Sequence, residues 1–205
     1  MSLTDFRTVK QHFLKQDKNI YDVLYTLDIN EWLVPRERKD HFYNLSHEII
    51  YQQLAGKAAK AIFTRFSDLV AGEITPEKIL EYEDQELRQA GLSWAKARYI
   101  KDLASKVISR ELILDDIDNL DDERVIESLT RVKGIGRWTA EMFLFFTLHR
   151  ENIFSYGDLG LKNGFAKLYR IQDPNKDDID KVIDSWSPYK SYGSIALWHY
   201  LDSNK

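Results

Sequence analysis

The chain has 205 residues and no cysteine, and only 4 prolines and 9 glycines. Without thiols there is no disulfide, no thiolate metal site, no iron–sulfur cluster and no cysteine nucleophile. The lack suits a reducing compartment. There is no surplus of positive charge: 29 Lys+Arg face 33 Asp+Glu, a net charge of −4. That excludes a polycation coating nucleic acid by charge alone, though not a basic patch on one face. There is no long apolar run. The greasiest segment, Ala140 to Leu148, is interrupted by Glu141 and too short to cross a bilayer. The opening MSLTDFRTVK is charged early and resembles no secretory signal, so a soluble cytoplasmic protein without membrane contact is expected. His12, His41, His47, His149 and His199 form no metal-binding pair, and no nucleophile elbow, Walker loop or dinucleotide fingerprint occurs.

What is present points to helices. Ile49, Ile50, Leu54, Ala58, Ala61 and Ile62 recur at three- to four-residue steps. So do Tyr99, Ile100, Leu103, Ala104, Val107 and Ile108, and again Val125, Ile126, Leu129 and Val132. Thr75-Pro76-Glu77 has the cap, first-turn proline and first-turn acid of a helix start, and Ser93 and Asp121 serve as further caps. No run alternates as a strand does. The expectation is an all-α fold of roughly ten short helices, in a single domain over residues 1–205 or two closely packed lobes. Residues 115–127 hold seven acids against one Arg124, without the turn glycine of a calcium loop, and are expected to be a solvated acidic loop and helix start. Basic residues gather at Lys57, Lys60 and Arg65, at Lys96, Arg98, Lys101 and Lys106, and at Arg131, Lys133 and Arg137.

The most informative stretch runs from Leu129 to Leu144. A helix is expected to end near Val132, Gly134 and Gly136 bracket Ile135, and a second helix starts at once. The glycines permit a tight turn and close approach of another molecule. The unpaired amides opening the second helix make an anion cradle. Ile135 pins the turn, and the small Ala140 lets the helices pack. This segment, about residues 123–148, resembles the helix-hairpin-helix motif of DNA-binding proteins, which grips backbone without selecting sequence.

Downstream stands Ile153-Phe154-Ser155-Tyr156-Gly157-Asp158-Leu159-Gly160-Leu161, with Asp158 24 positions after Gly134. It resembles the catalytic loop (about 152–160) of the helix-hairpin-helix (HhH-GPD) DNA glycosylases. Three further blocks resemble the alkylpurine or 3-methyladenine DNA glycosylase II family: Ile49-Ile50-Tyr51-Gln52-Gln53-Leu54 with Ala58-Ala59, Gly91-Leu92-Ser93 with Lys96 and Tyr99, and Trp186-Ser187-Pro188-Tyr189-Lys190-Ser191-Tyr192 before Trp198. The match covers about residues 42 to 202, and the first forty residues add little to it. The resemblance implies two helical lobes with a cleft between them, flanked by the hairpin. It also implies a monomeric enzyme that everts one damaged nucleotide from double-stranded DNA and cuts off its base, at the nucleoid if the source is a prokaryote.

On that resemblance, Lys133, Gly134, Ile135, Gly136, Arg137 and Thr139 hold the backbone, and Leu54 with Gln53 fills the gap in the base stack; on the residues alone, Leu54 is core on an amphipathic helix. Trp138, Tyr189 and Met142 line the base pocket, because electron-rich rings attract a cationic alkylated purine. Trp186 and Trp198 are expected in the core. Asp158 is the catalytic carboxylate, offsetting positive charge on the sugar; its place before Leu159 also makes it a natural helix cap. The nucleophilic lysine of bifunctional relatives would stand two positions after Gly136, where this chain has Trp138, so strand cleavage is not expected. No cofactor is implied, although relatives' hairpins can hold a monovalent cation through backbone carbonyls. Tyr189 stands where relatives have Trp, Met142 where some have an aromatic, and Ser155 near a family proline. These departures leave two alternatives open: a silent binder of damaged or bent DNA, and a glycosylase for a neutral lesion such as hypoxanthine or uracil.

Overall fold

The computed structural model describes residues 4–32, 40–54 and 56–203, in which twelve α-helices and three short 3₁₀ turns occur and no strand does. No helix among the described residues is long and apolar enough to cross a membrane. The chain divides into two compact units. Residues 36–143 form one, and residues 1–35 with 144–205 form the other.

The unit of residues 36–143 contains α3 (His41–Tyr51), α4 (Gly56–Leu69), α5 (Pro76–Leu80), α6 (Asp84–Gln89), α7 (Trp94–Ile108), α8 (Asp122–Leu129) and most of α9 (Arg137–Phe146). Side-chain caps start them where expected: Thr75 accepts from the Lys78 amide, Ser93 from Lys96 and Asp121 from Arg124. Helix α7 packs against α3, α5 and α6 and buries Ala97, Ile100, Leu103 and Ala104. At the start of the acidic run Asp115, Asp116 and Asp118 are exposed while Ile117 is buried, as are Leu112 and Leu114 just before it.

Two expectations need correction here. The periodic run 49–62 is not one helix: α3 ends at Tyr51 and α4 begins at Gly56. A three- to four-residue spacing can continue by chance across a turn, and Gln53 breaks the helix with φ at +57°. The hairpin's first helix stops at Leu129, and Val132 is a buried turn residue whose carbonyl accepts from the Ile135 amide at 3.1 Å.

The second unit contains α1 (Phe6–Gln16), α2 (Lys18–Thr26), α10 (Leu159–Tyr169), α11 (Lys176–Ile183) and α12 (Lys190–Ser203). The first forty residues, uninformative for the resemblance, supply much of its support: Val9, Phe13, Ile20 and Leu24 are fully buried. Asp17 ties the α1–α2 corner down. One oxygen caps α2, and the other accepts from the Tyr169 hydroxyl and, at 2.8 Å, from the Trp186 indole. Burial, reinforced by Asp17, pushes the Tyr169 hydroxyl well above the usual tyrosine range. Seven successive residues of α12, Ser191–Leu197, are buried, as expected of a helix enclosed on every side.

Helices α10 and α12 approach closely because Gly164 lacks a side chain; a β-carbon there would lie 2.6 Å from the main-chain oxygen of Leu197. Backbone cannot swing aside as a side chain can. We expect Gly164→Ala to lower stability by about 1–3 kcal/mol, measured by urea unfolding, without loss of helix content.

Candidate functional site

The hairpin is built on a missing side chain. Gly134 adopts φ +84°, and a β-carbon on it would stand 2.1 Å from Cδ2 of Tyr99. Glycine alone combines that backbone with the close seating on the ring. Ile135 is buried between two exposed glycines, pinning the turn as expected. Residues Arg137 to Thr139 open α9, whose first amides have no intrahelical acceptor. Trp138, second in that helix, is 44 % exposed, while Thr139 and Met142 are buried.

Helix α7 fastens this hairpin with residues spaced three apart. Tyr99 underlies Gly134, and Asp102 accepts the Lys133 amide at 2.9 Å. The Lys106 ammonium lies 3.0 Å from the same carboxylate and that of Lys133 3.7 Å from it. Burial alone would push the Asp102 carboxyl up, but the Lys133 amide and the Lys106 and Lys133 ammoniums outweigh it and hold it below the usual carboxylate range. One turn before Tyr99, Lys96 Nζ donates to the carbonyls of Ile50 at 2.6 Å and Gln52 at 2.7 Å. Burial holds that ammonium below the usual lysine range.

Those carbonyls belong to the end of α3, from which the turn carrying Gln53 and Leu54 departs. Leu54 is 37 % exposed and lies off any helix, so the alternative of a core leucine on an amphipathic helix does not hold. Gln52 links this turn to the hairpin: its Nε2 donates to the Gly134 carbonyl at 3.0 Å and to Thr139 Oγ1 at 3.1 Å.

Arg137 departs from the expected pattern. Its Nη1 and Nη2 grip Glu123 at 3.1 and 2.6 Å, and its Nε donates to Glu141 at 3.0 Å. The Arg137 bond in turn holds the Glu123 carboxyl below its usual range. The hairpin therefore presents main-chain amides at Arg137, whose surface guanidinium is paired with Glu123 and Glu141.

In the other unit, Asp158 is half-buried as the cap of α10, its Oδ1 accepting from the Leu161 amide at 2.8 Å and from the Trp198 indole N–H at 2.9 Å. Trp198 is thus not simply core, as Trp186 is; it is half-buried, stacks on Trp32 and packs against Phe145 and Phe146. The loop before Asp158 is strapped to α12: the Ile153 amide donates to Ser191 Oγ at 3.0 Å, and the Ser191 hydroxyl donates to the Arg150 carbonyl. Tyr189 is half-buried, edge-on to His12 and Tyr192. Among the described residues no cluster of His, Asp and Glu could hold a metal ion.

The family model for HhH-GPD superfamily base excision DNA repair proteins matches residues 46–188. The chain belongs to the HhH-GPD superfamily. Among its relatives is a DNA-3-methyladenine glycosylase of Saccharomyces cerevisiae, 32% identical over 97% of this chain and 81% of that protein. Among solved structures, a DNA-3-methyladenine glycosidase of Bacillus halodurans has a TM-score of 0.83 and 33% identity, covering 96% of this chain and 89% of the other. A Schizosaccharomyces pombe 3-methyladenine DNA glycosylase in complex with abasic DNA has a TM-score of 0.77 and 30% identity, covering 93% and 95%.

For this HhH-GPD protein, Trp198, Gln52 and Asp102 are the side chains whose parts the sequence reading left out. Asp102 falls three residues after Tyr99 on the α7 flank that also carries Lys96, so the family block containing Lys96 and Tyr99 held a signal for it. Replacing Asp102 with Ala should cost about 1–3 kcal/mol in urea unfolding. Asp102→Asn isolates the charge. Because the folded carboxyl titrates below its unfolded value, its ionic contribution is complete above about pH 5 and fades as pH falls through the folded value. The stability gap between wild type and the Asn variant should therefore close in acid.

Proposed function

We propose that this chain is a monofunctional DNA N-glycosylase of base excision repair, which everts alkylated purines such as 3-methyladenine from duplex DNA and releases them by hydrolysis. One observation carries the reading furthest: a half-buried carboxylate, Asp158, held by a helix amide and an indole N–H on the loop that follows a helix-hairpin-helix motif. The names of the relatives above support the same substrate class.

Chemically, the alkylated base carries positive charge, so it leaves with the electron pair of the bond to C1′ and becomes neutral. Cationic charge then gathers on the deoxyribose, where the Asp158 carboxylate opposes it. Water adds at C1′ and gives up a proton to bulk solvent, leaving a hydroxylated abasic sugar in an unbroken strand. The hairpin amides from Gly134 to Thr139 hold the neighbouring phosphate, with Lys133 near it. Leu54 and Gln53 take the vacated place in the stack, and Trp138, Tyr189 and Met142 receive the base. Trp138 two positions after Gly136 offers no amine for a Schiff base, which supports hydrolysis without lyase chemistry.

Purified protein without added cofactor should create alkali-labile abasic sites in methylated duplex DNA while the strand stays intact before alkali. Asp158→Asn should lower single-turnover release at least about a hundredfold, with affinity for abasic duplex within threefold of wild type. Unchanged release in that variant would remove Asp158 from the chemistry, and a nicked strand before alkali would contradict the monofunctional assignment.

A further inference from the structure

We propose that Gln52 is a positioning residue that locks the Leu54 turn to the hairpin, so that the wedge and the backbone grip act on the duplex as one stiff body. The inference rests on the glycosylase function proposed above. The two Gln52 side-chain bonds run to acceptors on both sides of the hairpin, the Gly134 carbonyl before Ile135 and Thr139 Oγ1 after Gly136, 82 and 87 residues along the chain. The same residue is held at its main chain. Its amide donates to the Glu48 carbonyl at 3.1 Å, and its carbonyl accepts from Lys96 at 2.7 Å. The chain then turns left-handed at Gln53, φ +57°, and presents Leu54, whose amide donates back to Tyr51.

This arrangement answers a mechanical need. Inserting a leucine where a paired base was stacked meets resistance of a few kcal/mol. A turn free to move relative to the phosphate grip would recoil and leave the base stacked. Gln52 transmits that load through two hydrogen bonds to the hairpin, while Lys96 and Tyr99, on the same flank of α7, brace the turn and the hairpin. Gln52 acts through Leu54, so its effect belongs to eversion and not to bond cleavage.

The test compares Gln52→Glu, which keeps the volume but cannot donate, and Gln52→Ala with wild type. Single-turnover release is measured from a duplex with 7-methylguanine opposite cytosine, and from the same strand with the lesion opposite an abasic analogue, where eversion is easier. Both variants should lose about tenfold on the paired lesion and less than about twofold on the unpaired one, as expected if two hydrogen bonds are lost from the step that opens the pair. Equal losses on the two duplexes, or no loss on either, would overturn the coupling while leaving the glycosylase function standing. Wild-type protein that releases no base from either duplex would overturn that function, and this inference with it.

Discussion

The Gly134 peptide lies so near the face of Tyr99 that no β-carbon fits between them, and the geometry of the hairpin follows from that contact. A ring packed against bare backbone fixes the turn from below, so its upper side can remain open main chain. The Asp102 bond to the Lys133 amide then sets the approach to the turn. Lys96, one turn before Tyr99 on the same helix, holds the end of α3. A single helix thus serves as the template for two exposed features that are far apart in sequence.

The carboxylate of the second unit depends on a different kind of support. Asp158 caps its own helix, as Asp commonly does, and the Trp198 indole N–H donates to the same oxygen, Oδ1, that accepts from the Leu161 amide. That indole is itself held in a stack of rings. Ser191 fastens the preceding loop to the same helix that carries Trp198. Helix α12 thus holds the Asp158 loop at Ser191 and the Asp158 carboxylate at Trp198, while Ser191–Leu197 are buried.

Much of this was legible in the sequence, for identifiable reasons. Helix starts at Thr75, Ser93 and Asp121 were visible because capping is a local interaction between near neighbours. The hairpin was visible because its glycines, Ile135 and Ala140 are all constrained within a dozen residues. The break between α3 and α4 was hidden, since a helical period can persist across a turn by coincidence. The roles of Trp198 and Gln52 were hidden because each depends on a partner 40 or more residues distant, a relation that no local spacing encodes. Arg137 shows the opposite hazard. Its position predicted a phosphate contact, but two carboxylates, one of them 14 residues upstream, claim the guanidinium.

That engagement of Arg137 bears on how a repair protein could search a genome. A clasp made of peptide dipoles attracts a phosphate only at contact range, whereas a bare guanidinium would attract it from a Debye length away. With Arg137 so engaged, the exposed Lys133 ammonium is the longer-ranged charge beside the hairpin, and under the proposed function a grip so sparingly charged, on a chain of net charge −4, favours brief residence on undamaged DNA. Rapid release lets successive positions be sampled, and a long stay is reserved for the place where a nucleotide has yielded.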